Sequence, residues 1–115
     1  MTKRSKSHFC FILFFALSLG GARAQDAAPR GDAARGKALY ESTGCYECHT
    51  YAGIGSSQGS RLVPPLAFGA FLKQLRLPRA VMPPYEAAVL SDAQIADIYA
   101  YVSSLPRTPA SAKLD

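Results

Sequence analysis

Residues 44–49 read Gly44-Cys45-Tyr46-Glu47-Cys48-His49. Two thiols three residues apart stand on neighbouring positions of one helical turn, and an imidazole follows at once. Cys-x-x-Cys-His is the attachment signature for c-type haem. The thiols add to the two vinyl groups on one side of the porphyrin, and the next residue is held under the iron. On this reading Cys45 and Cys48 form thioethers and His49 is the proximal metal ligand. A redox disulfide uses the same cysteine spacing but expects a strand leading into it within a βαβ setting, and none is visible here. A structural zinc site needs four ligands, and the chain has no second cysteine pair to complete one.

Upstream, Met1 to Ala24 reads as a secretory signal. Lys3, Arg4 and Lys6 form its basic start, Phe9 to Leu19 its apolar run, and Ala22-Arg23-Ala24 a small-x-small cleavage site. The run is shorter than the roughly 20 residues that span a bilayer. An uncleaved signal retained as an anchor is the alternative. The segment carries four of the 13 basic residues and none of the eight acidic ones, so the remaining 91 residues carry a net charge of +1. The basic balance therefore belongs to export and gives no reason to expect nucleic acid as a partner. Past the signal there remain one histidine (His49), one methionine (Met82) and two cysteines (Cys45, Cys48).

The organisation implied is a signal over 1–24, a leader over 25–31, one domain over 32–106 and a tail over 107–115. Within the domain, Asp32 caps a helix from about Ala33 to Glu41, with Gly36, Leu39 and Tyr40 on one face. Gly44 closes that region. Tyr51 to Ser60 holds three glycines and three serines among ten residues and reads as a loop. Phe68, Phe71, Leu72 and Leu75 fall at i, i+3, i+4 and i+7 of a helix that Pro78 ends. Ser91 and Gln94 form a capping box with Leu90 stapled to Ile95. Ile95, Ile98, Tyr99 and Val102 continue that helix until Pro106. No segment alternates as a strand. Helices this few and this short make a thin core, and a large apolar cofactor would complete it.

An iron bound by one histidine has a sixth position to fill. Met82 is the one methionine left, it lies 33 residues beyond His49, and Pro83-Pro84 stiffen the turn that presents it. The expected axial pair is His49/Met82. Tyr85, Lys73 or an open position are the other possibilities. Met/His ligation raises the potential and leaves no place for a small-molecule substrate, which argues for electron transfer and against an enzyme.

The stretch from about Gly31 to Pro106 resembles a small bacterial monohaem cytochrome c. The resemblance rests on Gly44 to His49, on Met82-Pro83-Pro84-Tyr85, and on Leu90-Ser91-Asp92 leading into Ile98-Tyr99-Ala100-Tyr101-Val102. It implies an all-α, cytochrome c-like fold of three to four helices around one covalently bound haem c with its iron. It further implies that Gly36 lets the first and last helices cross closely and that Tyr40 stacks near Tyr101. In that family a proline carbonyl accepts the proximal imidazole N–H. Pro64, in Val63-Pro64-Pro65-Leu66, is the matching residue, with valine where glycine is usual. No tryptophan is present, which makes Arg61, Arg76 and Arg79 the candidates for haem propionates.

These readings point to an exported, periplasmic carrier that takes single electrons from one redox protein and gives them to another. Lys73, Arg76 and Arg79 are candidates to face an acidic partner. Two rival functions use the same site: a haem relay subunit of a dehydrogenase or oxidase complex, and a haem sensor or peroxidase whose methionine is labile.

Overall fold

Every regular element in the computed structural model, which describes residues 27–107, is a helix. α1 spans Ala33–Ser42, α2 Cys45–His49, α3 Phe68–Arg76 and α4 Asp92–Ser104. The all-α expectation holds, with the cysteine motif itself supplying the fourth, shortest helix. The signal segment 1–24 and the tail beyond 107 lie outside the described residues.

The helix starts follow from their caps. The Asp32 carboxylate accepts the Arg35 backbone N–H at 2.8 Å and so satisfies one free donor of α1. Ser91 and Gln94 bond reciprocally at the start of α4, and the Leu90 and Ile95 beside that box are both fully buried. α3 begins at Ala67 with no side-chain cap. Its apolar face, Phe71 and Leu75 buried with Phe68 and Leu72 beside them, is what holds it.

The dominant packing is α1 across α4. Gly36 makes it possible, because a Cβ there would be driven into the backbone carbonyl of Asp97. Tyr40, Ile95, Ile98 and Val102 fill the crossing and are essentially inaccessible to solvent. Tyr40 meets Tyr101 edge to face with ring centroids 5.3 Å apart, as the resemblance implied. Each hydroxyl then reaches past the crossing. Tyr40 donates to the Thr50 carbonyl at 2.7 Å and Tyr101 to the Tyr51 carbonyl at 3.2 Å. The chain just after His49 is thereby anchored to the two helices that form the core. α3 docks on α4 through Phe68 and Phe71, both edge-on to Tyr99.

A polar clasp closes the crossing. The buried Asp97 carboxylate accepts the Asp32 N–H at 2.6 Å and two N–H groups of Arg35, from Nε at 3.0 Å and Nη2 at 3.1 Å. The Arg35 hydrogen bonds first, then the Asp32 N–H, hold the Asp97 carboxyl below the usual carboxylate range. A carboxyl depressed in the folded state stabilises the fold above its unfolded pKa, about 4. That contribution disappears as pH falls through the lower, folded value. The thermal stability of the wild type should therefore fall on acidification below about pH 4. Asp97→Asn should be less stable at neutral pH and show a flatter dependence in that acid window. A mutant curve parallel to the wild-type curve would assign the acid sensitivity to other carboxylates.

Candidate haem-binding site

α2 is set at its angle by the residues before it. Thr43 closes α1, with its hydroxyl on the Leu39 carbonyl at 2.7 Å, and Gly44 turns the chain through a left-handed φ of 76°. Cys45 is then half-buried, Cys48 exposed and His49 buried. The Cys45 sulfur lies 3.2 Å from the Thr43 hydroxyl. Burial pushes its thiol up from the ordinary cysteine range. A redox-active pair depends on the opposite shift, and no strand precedes the motif among the described residues. A zinc cage is absent too: among the described residues no three His, Cys, Asp or Glu side chains are grouped to hold a metal ion.

The loop after α2 folds back beneath it. Gly55 N–H returns to the His49 carbonyl at 3.1 Å, and the Ser56 hydroxyl donates to the Cys48 carbonyl at 2.6 Å. Gly59 passes so close that a Cβ would stand 2.8 Å from the Cys48 carbonyl oxygen. This approach places the Ser60 carbonyl 2.6 Å from His49 Nδ1. A carbonyl can only accept, so Nδ1 carries the hydrogen, and in the neutral imidazole Nε2 is then the nitrogen with the lone pair. The expectation that Pro64 accepts this hydrogen bond is corrected here. The acceptor is Ser60, four residues earlier, because the glycine loop reaches the imidazole first. Pro64 instead lines the cavity in front of His49, after the buried Val63.

That cavity measures about 420 Å³, and an adjoining hollow about 530 Å³. Cys45, His49 and Met82 line both, and Cys48 joins them on the second. Tyr40, Phe71, Leu75 and Ile98 give the first an apolar wall. Of the other residues considered for the sixth position, Lys73 is exposed and lines neither hollow. The Tyr85 hydroxyl is turned to the Thr43 carbonyl at 3.3 Å. Of the three arginines considered for propionates, Arg61 and Arg79 are exposed and line the cavity. Arg76 turns away from it, with Nη1 donating to the Tyr85 carbonyl at 2.6 Å and Nη2 paired with Asp92. Lys73, Arg76 and Arg79, at the end of α3 and in its exit loop, are thus divided.

Two thiols, one oriented imidazole and one thioether on a shared, apolar-walled cleft form a donor set that fits a haem. Three contributors have roles here that the sequence alone does not indicate. Ser60 acts through its backbone, whose only sequence trace is the glycine before it. Gln74 sits with its Nε2 3.8 Å from the Met82 sulfur, and Arg76 bonds to the methionine's loop.

An all-helical domain with this cleft belongs to the class of c-type cytochromes. The family described as cytochrome c oxidase, cbb3-type, subunit III, matches the chain over residues 31–102, and the chain belongs to that family. It is a haem-binding, electron-transfer cytochrome. No curated protein and no solved structure matches it.

Proposed function

We propose that the chain is a monohaem electron carrier of the periplasm, in which Cys45 and Cys48 would hold the haem as thioethers and His49 Nε2 and Met82 would be the ligands of its iron. The observation that carries this reading is the His49–Ser60 hydrogen bond. It leaves Nε2 as the free donor in a cavity that Met82 also lines. The haem, when bound, supplies a one-electron couple. The protein's part is to hold still: Ser60 fixes the imidazole plane, Pro83 and Pro84 stiffen the methionine turn, and Phe71, Leu75 and Ile98 exclude water. With His49 and Met82 both serving as ligands, no position would be left for a substrate, and the chain would carry electrons without catalysing a reaction of its own.

Export rests on the signal read over residues 1–24, and the donor and acceptor are redox proteins. No helix among the described residues is long and apolar enough to cross a membrane. The oxidase-subunit description of its family favours a second reading, in which the chain relays electrons inside a complex. A concentration-independent monomer supports the shuttle. Co-purification with a catalytic redox subunit supports the relay.

The test is expression with export in a host that attaches haem, followed by denaturing electrophoresis with haem staining. The wild-type band should stain and its reduced spectrum should be sharp and low-spin. The Cys45→Ala/Cys48→Ala double variant should lose the stain entirely. A colourless wild-type protein would overturn the haem reading and return the cysteine pair to thiol chemistry.

A further inference from the structure

We propose that Gln74 and Arg76, at the carboxyl end of α3, are positioning residues for Met82, Gln74 acting on its sulfur and Arg76 on its loop. The inference rests on the reading of Met82 as the second axial ligand. Three successive residues of α3 reach the same segment. The Gln74 side-chain amide lies 3.8 Å from the Met82 sulfur, the Leu75 carbonyl accepts the Tyr85 N–H at 2.9 Å, and Arg76 Nη1 donates to the Tyr85 carbonyl at 2.6 Å. Tyr85 is therefore held through both of its backbone polar groups, three residues beyond the sulfur.

Arg76 is well placed for this role. Its side chain is only 20% exposed, and its other nitrogen pairs with Asp92 in the first turn of α4. The guanidinium bridges the end of α3, the methionine turn and the start of α4, and so closes the base of the segment between the two helices. A lysine offers one ammonium and cannot reproduce the planar fork.

The two residues do different things to a ligand. A thioether is a weak acceptor, and an amide N–H directed at it draws on the lone pairs that donate to the metal. Removing that N–H makes the sulfur a stronger donor, which favours the oxidised iron and lowers the potential. Removing Arg76 leaves the sulfur's electronics alone but frees the turn. Met82 then leaves its position more often, and an external ligand that must wait for its departure binds faster in proportion to the open fraction.

The experiment compares the haem-loaded wild type with Gln74→Leu, Arg76→Met and Arg76→Lys. The readouts are midpoint potential, the far-red iron–sulfur absorption band, the rate of imidazole binding to the oxidised protein, and thermal stability. Gln74→Leu should shift the reduction equilibrium about threefold toward the oxidised form, ~28 mV at 59 mV per tenfold, and should move the far-red band. Arg76→Met should speed imidazole binding about tenfold with the potential little changed, and Arg76→Lys should fall between it and the wild type. If Arg76→Met does not fold, the lysine variant carries that arm alone.

An unmoved potential and band in Gln74→Leu overturns the role of Gln74. An unmoved imidazole rate overturns that of Arg76, even if stability falls. Both results leave Met82 ligation standing, provided the wild type shows the band. A wild type without it overturns Met82 ligation and the inference together.

Discussion

Met82→Ala should convert the oxidised holoprotein from low-spin to high-spin and abolish the far-red iron–sulfur band, while the haem stays covalently attached. The reason is local. Among the residues lining the cavity, Met82 is the one soft donor besides Cys45, which the proposed attachment commits to a thioether, and the charged neighbours Arg61 and Arg79 cannot donate a lone pair to a metal. Cyanide binding to the oxidised form should tighten by roughly a hundredfold, about 2.8 kcal/mol at 1.4 kcal/mol per tenfold, because no protein ligand need be displaced. The potential should drop with loss of the thioether. Absorption spectra and a cyanide titration of the two proteins decide the matter. Unchanged spectra would remove Met82 from the iron. A wild type that already binds cyanide as tightly as the variant would point instead to a sensor or peroxidase.

The same substitution at two glycines should give opposite results. At Gly36 a methyl group would be forced into the Asp97 carbonyl, a backbone atom that cannot rotate away. α1 and α4 must then separate across Tyr40, Ile95 and Ile98, and overpacking of this kind costs about 3 kcal/mol. For a domain of this size, that lowers the melting temperature by roughly 12–24 °C. At Gly69, in the first turn of α3, a Cβ meets nothing within 4 Å. Gly69→Ala should raise stability by about 0.5–1 kcal/mol through helix propensity alone. Thermal melts of the two holoproteins test the pair. Equal and small effects would mean that the helix crossing is looser than the structure shows.

What could be read from the sequence, and what could not, follows from the range of each interaction. Ser91 and Gln94 specify their capping box within four residues, and Phe71 and Leu75 declare their face by spacing, so α3 and α4 were legible. α2 was legible as chemistry, because Cys45, Cys48 and His49 carry their roles in adjacent side chains. The Gly36 contact and the Tyr40–Tyr101 pair became readable only through resemblance, since they join residues about 60 positions apart. The acceptor for His49 was misplaced for a related reason. A backbone carbonyl has no residue signature, and the choice between Ser60 and Pro64 depends on how tightly the glycine loop passes Cys48. Arg76 reads as a surface cation until the fold brings the Tyr85 carbonyl and Asp92 to it.

The Asp32–Arg35–Asp97 clasp joins positions 65 residues apart, and α2, the glycine loop, α3 and the methionine turn all lie on the loop it closes. Bringing the ends of such a loop together costs about 3.7 kcal/mol of chain entropy, regained only when α1 and α4 have met. Neither half of the domain holds a core of its own: Tyr40 comes from one side of the loop, and Ile95, Ile98 and Val102 from the other. Most residues that line the cavity lie on a segment whose two ends this contact joins. Opening the α1–α4 crossing would therefore release α2, the glycine loop, α3 and the methionine turn together.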